Sequence, residues 1–519
     1  MANAAAYVGL KDARRPQILL LALLVGCGGA LLIAAIARAA SPIIGMLGVV
    51  GIVVAVGMLM SPTFAILVVC FSVPFERIGR LTNDYDTVAV SVNRMLGVVA
   101  LASLLLHVAL KKRKLRFGWA FALYALYASV AILSNMWAYS PEETFRQCFA
   151  ILGNLMFFFV VLNLIQTYAD AKKAAIVLLV ATMFAGLYSL GDYFLFKGSN
   201  SVGDAQMGLT STRMTTVVND GSEVRSLGEN VRRLFGTTAH PTLFGLNNLM
   251  IVPFLLWALH WSRGPSTLFW FLELVVAIFC IALSNTRAVF LLAAFTVIFC
   301  LARKLWRPSL QAIFALILIG AAVIPFIPRD VYMRALDPSL YTTARGDSIR
   351  VRFKFWEKSW ELIQESWGYG IGVGNETTLL ERITDENTGY LSPSGLRASA
   401  HNEYIWVMVE VGIVGYIFFW GFVATVTRAS FRGASLYRRW RDSSEEYYFL
   451  VACQVIMVGV LLFAVQSEAF HYPLKIWWLM AGISVNLLAA AKKRQAEEAQ
   501  TALPAPGISL PSAPPNPTN

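Results

Sequence analysis

Charge is what this sequence has least of. Of its 519 residues only 14% are Asp, Glu, Lys or Arg, against 57% hydrophobic. A soluble domain carries about 25% charged residues, so the shortfall excludes a soluble globular reading of the chain. Cysteine is scarce as well. Cys27, Cys70, Cys148, Cys280, Cys300 and Cys453 all sit in or beside apolar stretches, and none has CxxC spacing. That excludes a disulfide framework and leaves the six as small core residues. Among the loops no His/Asp/Glu group stands at ligand spacing, so no metal and no cofactor is expected. The glycine-rich stretch at 368–374 has neither a preceding strand nor a P-loop lysine. It is therefore no nucleotide fingerprint, and reads as a flexible turn. No internal repeat suggests the inverted halves of a secondary transporter. Nor does a good small-x-small cleavage site follow the first apolar run, so a retained first helix is expected.

What the chain has in quantity is apolar runs. A helix needs about 20 apolar residues to cross the hydrocarbon. Spans of that kind fall at 17–37, 42–60, 63–75, 88–110, 117–137, 148–167, 174–196, 241–262, 267–284, 287–304, 309–327, 402–426, 448–467 and 473–491. The expected fold is an all-α polytopic membrane protein of about fourteen helices with a large periplasmic loop. The net charge of +12 has a topological cause. Basic runs follow alternate spans: Lys111 to Arg116, Arg303 to Arg307, Arg428 to Arg441, and Lys492 to Arg494. Cytoplasmic loops collect Lys and Arg, so both termini are placed in the cytoplasm of a bacterial inner-membrane protein, and nucleic acid is not needed as a partner.

The chain then divides into N-terminal helices (1–196), a first large periplasmic loop (197–240) and central helices (241–327). A second large periplasmic loop (328–401), C-terminal helices (402–491) and a disordered cytoplasmic tail (492–519) complete it. Loops as long as the second are usually functional. Within it Phe353, Trp356, Trp360, Ile363 and Trp367 recur at spacings of three and four. That pattern is an amphipathic helix lying on the membrane surface or packed over the bundle.

Candidate chemistry gathers at the outer face. Arg232-Arg233-Leu-Phe-Gly236 and Ala239-His240-Pro241 precede one span; Ser284-Asn-Thr-Arg287 opens another. Arg350-Val-Arg352, Trp356 and the glycine run lie between, and Ala400-His401-Asn402-Glu403-Tyr404 opens a third span, with Glu410 two turns in. Arg287 stands at a helix N-terminus, where free N–H groups already favour phosphate. Arg233 and Arg352 could converge on the same anion, since guanidinium groups hold phosphates in bidentate fashion. His401 is of the residue type most often used as a general base. An arginine set plus one histidine suits transfer from a pyrophosphate leaving group. Each has a plainer reading. Interfacial Arg also snorkels, and a His before a helix also caps. Glu273 and Glu410, inside spans, are either functional or members of structural ion pairs.

Four motifs together resemble the O-antigen ligase and O-antigen polymerase superfamily of bacterial envelope glycosyltransferases. They are Arg233-x-x-Gly236 with His-Pro before a helix, Ser-x-x-Arg287, Arg352-x-x-x-Trp356 leading into Gly-x-Gly-x-Gly, and His401-Asn-Glu-Tyr with Glu410-x-Gly412-Ile-Val-Gly415. The resemblance spans roughly 140–470. It implies an integral-membrane glycosyltransferase fold and an undecaprenyl-pyrophosphate-linked glycan donor used at the periplasmic face. It also implies inverting displacement without metal, onto a lipid or glycan acceptor. On that resemblance His401 is the catalytic base; Arg287, Arg233 and Arg352 bind the pyrophosphate; His240, Glu403 and Glu410 support them. One departure stands out: Pro241-Thr242 occupies a place where the family often has Pro-Asn. Ligase, repeat-unit polymerase and protein glycosyltransferase remain open, as does a transporter or flippase of a lipid-linked saccharide. The oligomeric state is not legible.

Overall fold

The structure is a computed structural model. It describes residues 42–75, 91–195, 211–214, 217–219, 224–226, 231–238, 240–306, 314, 318, 320–321, 325, 347–376, 379–380, 400–467, 469–470 and 474–501. The helices are α1 (Pro42–Met60), α2 (Pro62–Ser72), α3 (Val92–Ala109), α4 (Trp119–Leu133), α5 (Pro141–Leu164), α6 (Tyr168–Leu195), α7 (Pro241–Trp261), α8 (Pro265–Leu283) and α9 (Arg287–Ala302). They continue with α10 (Asp347–Glu365), α11 (Glu403–Tyr437), α12 (Ser444–Phe463) and α13 (Lys475–Thr501). Among the described residues, eight helices are long and apolar enough to cross a membrane. The protein is therefore a multi-pass helical membrane protein. Twelve of the helices coincide with expected spans; the span at 17–37 lies outside the described residues, and that at 309–327 touches only isolated ones.

The ends differ where polar residues hide them. Helix α5 begins at Pro141 rather than 148, because Pro at the first position and Glu142 and Glu143 in the first turn suit a helix start. Helix α13 runs on to Thr501, so 492–501 is helical and not a disordered tail. Residues 502–519 lie outside the described set. The all-α expectation also needs amendment. In the first large loop β1 (Ser211–Met214) pairs antiparallel with β4 (Val231–Leu234), and β2 (Val217–Asn219) with β3 (Val224–Ser226).

Without a hydrophobic drive between helices in lipid, association rests on packing. Here α11 and α13 close on α4 and α5 through interlocked rings. Tyr124 meets Trp478 at 4.8 Å and Phe422 at 4.9 Å, and Phe158 meets Phe422 edge-on at 5.2 Å. Each such pair adds about 1 kcal/mol beyond burial.

The helix directions leave two unlike ends. One collects the basic runs, where Arg113 Nη1 donates to Asn163 O (3.0 Å) and Arg303 Nη2 to Gln454 Oε1 (2.7 Å). The opposite end carries the strand pairs, α10 and the starts of α7, α9, α11 and α13. All candidate site residues in α7, α9 and α11 fall toward that loop-bearing end.

Candidate active site

Arg287 is placed by a connection of three residues. Helix α8 ends with Ser284 as C-cap and Asn285 at φ 49°, whose N–H donates to Ala282 O. This left-handed terminus is one that Asn tolerates. Ser284 Oγ bonds back to Ile281 O at 2.7 Å. Thr286 is the N-cap of α9, yet its hydroxyl donates to Ser284 O rather than accepting from the helix. The first N–H groups of α9 thus have no side-chain cap, and Arg287 opens the helix with its side chain exposed. Among the described residues no carboxylate pairs with it. A guanidinium beside uncapped N–H groups is a ready anion site.

The strand bearing Arg233 sits over this turn. In β4 Arg233 is opposite Thr212; its side chain lies outside the described residues. The next residue, Leu234, is buried against Leu283 and Phe244. Gly236 follows at φ 52°, where a Cβ would lie 2.1 Å from the Phe244 ring. His240 is the N-cap of α7: its Nδ1 accepts from Thr242 N at 3.2 Å. That assigns His240 a capping role, with Nδ1 unprotonated.

A second set of contacts fixes His401. Trp356 Nε1, from α10, donates to Ala400 O at 2.6 Å. Asn402 is the N-cap of α11, with Oδ1 accepting from Tyr404 N (3.0 Å) and Ile405 N (3.2 Å); such a cap contributes about 1 kcal/mol. Glu403 is buried: its N–H donates to Ala464 O at 2.9 Å and its Oε2 accepts from Phe470 N at 3.0 Å, tying α11 to the connection after α12. Tyr404 stacks on Trp420 at 4.3 Å and donates to Leu461 O. Asn402, Glu403 and Tyr404 thus fix the start of α11 through hydrogen bonds and ring stacking. His401 stands before the N-cap, half-exposed, at φ 49°.

That angle is informative. Five non-glycine residues among those described have positive φ: Lys111, Asn285, Lys304, Trp367 and His401. The first four end helices, as residue types in left-handed caps do. His401 ends none. A left-handed non-glycine residue costs of order 1–3 kcal/mol and persists only where its surroundings hold it. The bonds at Ala400, Asn402 and Glu403 are what hold it.

The glycine run is not the flexible turn the sequence suggests. Gly368, Gly370, Gly372 and Gly374 all have positive φ, and the run is bonded to a break in α11. Ile371 N donates to Val409 O (2.9 Å), Gly372 N to Glu410 O (3.1 Å) and Ile413 N to Gly368 O (2.8 Å). At the break Gly412 has φ 65° and ψ −172°. A Cβ on Gly370 would lie 2.4 Å from Glu410 O, and one on Gly412 2.0 Å from Gly368 O. Asn375 fastens the far side: its Oδ1 accepts from Ser140 N (2.6 Å) and its Nδ2 donates to Thr144 Oγ1 (2.8 Å).

Of the remaining candidates, Arg352 is half-buried on α10, one turn before Trp356. Glu410 is buried beside the break, its carboxylate facing the backbone N–H groups of Gly374 and Glu376. Glu273 accepts from Thr182 Oγ1 at 2.8 Å. The segments carrying Arg233, His240 and Arg287 pack together through Leu234, Phe244 and Leu283, and the segment carrying His401 is tied to α10, which carries Arg352, through Trp356. Helix α12 connects them, packing on α9 and α11 and ending at the Glu403 bond. Sequence reasoning missed the positioning work of Trp356, Asn402 and Asn375. Asn before an apolar run was a visible N-cap signal for Asn402. Nothing local announces the hold of Asn375 on Ser140 and Thr144, over 230 residues away.

No metal-holding group of three or more His, Cys, Asp or Glu is found among the described residues, and the five described cysteines are free and buried. What the helices and the loop-bearing end define is a multi-pass membrane protein with an arginine- and histidine-bearing face. A family model described as O-antigen ligase matches residues 250–420, which include Arg287, Arg352, His401, Glu403 and Glu410 but not Arg233 or His240. Over those residues, about a third of the chain, the protein is similar to the O-antigen ligase family, a likeness that agrees with the resemblance drawn from the motifs. No curated protein matches the chain.

Proposed function

We propose that the chain transfers an undecaprenyl-pyrophosphate-linked glycan to an acceptor hydroxyl at the periplasmic face of the bacterial inner membrane, as a ligase. The observation that carries this is His401, held strained and half-exposed between three fixed residues, at the end of the bundle where Arg287 opens an uncapped helix. The basic runs at the opposite end support a cytoplasmic placement there.

In this reading the imidazole of His401 takes the proton of the acceptor hydroxyl. The acceptor oxygen bonds to the anomeric carbon from the face opposite the leaving group. The carbon–oxygen bond to pyrophosphate breaks, and its electron pair stays on the pyrophosphate. Arg287, the N–H groups of α9, Arg233 and Arg352 stabilise that charge. In-line displacement inverts the anomeric centre, and no metal is required. A general base accounts for about 10²–10⁴ in rate.

The test is complementation of a deletion strain with His401→Ala and Arg287→Ala, with surface glycan read on a gel and membrane levels by blot. Both variants are expected at normal levels without ligated glycan. Full glycan from His401→Ala overturns the reading. Loss of long ladders with a single repeat still attached indicates a polymerase instead.

A further inference from the structure

Helix α10 has more apolar surface than the bundle covers. Leu362 and Ile363 are buried against Val409 of α11, with Phe355 beside them. On the adjoining flank Phe353 and Trp360 are 59% and 56% exposed, and Trp367, two residues past the helix end, is 88% exposed. Residues seven apart drift by only about 20° around a helix, so Phe353 and Trp360 share one outward flank, and Trp367 adds an exposed ring at its end. The sequence pattern had put Ile363 on the same face as these rings; the structure turns it inward. The remaining flank is polar, with Lys354 and Glu365 exposed and Lys358 paired to Glu361 at 2.7 Å.

The apolar flank is continuous with the bundle's own outer wall. Past Trp367 the chain reaches Tyr369, 71% exposed, and Gly368 approaches Ile413. There the exposed apolar side chains of α11 begin: Ile413, Val414 and Ile417. The connection between α4 and α5 meets the same loop, where Tyr139 N donates to Ile371 O, and presents exposed Trp137 and Tyr139. Tryptophan and tyrosine at the border between an apolar wall and a polar end are the signature of a membrane interface.

We infer that the Phe353–Trp360 flank of α10, with Trp367 just past its end, is seated in the lipid of the leaflet at the loop-bearing end, at the boundary between headgroups and acyl chains. The same helix holds Ala400 through Trp356. Lipid seating therefore sets the height of His401 above the membrane, and so its register with a lipid-linked donor; this second part rests on the proposed transferase reading.

The experiment uses the full chain in vesicles of phosphatidylethanolamine and phosphatidylglycerol. Single cysteines at 353, 360 and 367, and at 354 and 365 as controls, carry an environment-sensitive fluorophore. Spin-labelled lipid is expected to quench the three apolar positions at least twofold more than the controls, and aqueous iodide to do the reverse. Equal iodide quenching at apolar and control positions overturns the seating. So does protection that appears only at high protein-to-lipid ratio (a second copy), or only with added polysaccharide (an acceptor). The positioning part is read separately in transfer assays. Trp360→Glu is expected to lower kcat about tenfold with little change in donor KM, and Trp360→Leu to restore it. Unchanged kcat in Trp360→Glu overturns that part. The quenching arm needs neither donor nor acceptor, so its failure is distinguishable from failure of the transferase reading.

Discussion

The turn that carries Arg287 and the segment that carries His401 are built in opposite ways. The first is built from local bonds: Ser284 N to Cys280 O, Asn285 N to Ala282 O, Ser284 Oγ to Ile281 O and Thr286 Oγ1 to Ser284 O all span four residues or fewer. The second is assembled from afar. Ala400 is held from 44 residues away by Trp356, and Glu403 from 61 and 67 residues away at Ala464 and Phe470. A local turn forms wherever its two helices form. A segment held by remote contacts is correct only when the whole loop-bearing end is assembled. The difference means that the Arg287 turn is robust to distant change and the His401 segment is sensitive to it.

Substitutions in the glycine run break this comparison most severely. Gly370→Ala places a Cβ against the Glu410 carbonyl at φ 81°. A left-handed non-glycine residue plus a backbone clash costs roughly 3 kcal/mol or more. The expected outcome is a clear fall in the detergent melting temperature and loss of glycan transfer, although the residue touches neither Arg287 nor His401. A melting temperature equal to wild type would contradict the docked-loop account.

Trp356→Phe is a sharper instrument. It keeps a ring on α10 but removes the donor to Ala400 O. A single hydrogen bond contributes about 1 kcal/mol to stability, so melting changes little. Transfer is expected to fall about tenfold as His401 loses its hold, measured as kcat in reconstituted vesicles, and Trp356→Ala should fare no better in kcat. At the other extreme, Asn285→Gly exchanges one left-handed residue for another that prefers that region. Activity within twofold of wild type, with stability equal or slightly raised, is expected; a large loss would show that the turn depends on more than its own backbone.

Much of this was legible in the sequence, and the two regions explain why the rest was not. The spans, the basic ends and the Arg287 turn follow from hydropathy, charge and capping over a few residues, and these have local signatures. His401 was legible as a residue type before an apolar run, and its segment as a motif. Its strain was not, because strain comes from contacts made by Trp356, Ala464 and Phe470. The glycine run was misread as flexible for the same reason: positive φ at four glycines says nothing of the broken helix they dock on. The four short strands escaped notice because segments of three or four residues carry too few alternations to register.

The central claim is that His401 is strained for chemistry while its neighbours serve structure. His401→Gly tests it most directly, because glycine accepts φ 49° without cost. Melting temperature and initial rate of glycan transfer would be measured on the same reconstituted sample. The account predicts a melting temperature equal to or above wild type with transfer reduced at least 100-fold. Transfer within tenfold of wild type, or a melting temperature well below it, would contradict the account and make His401 a structural residue.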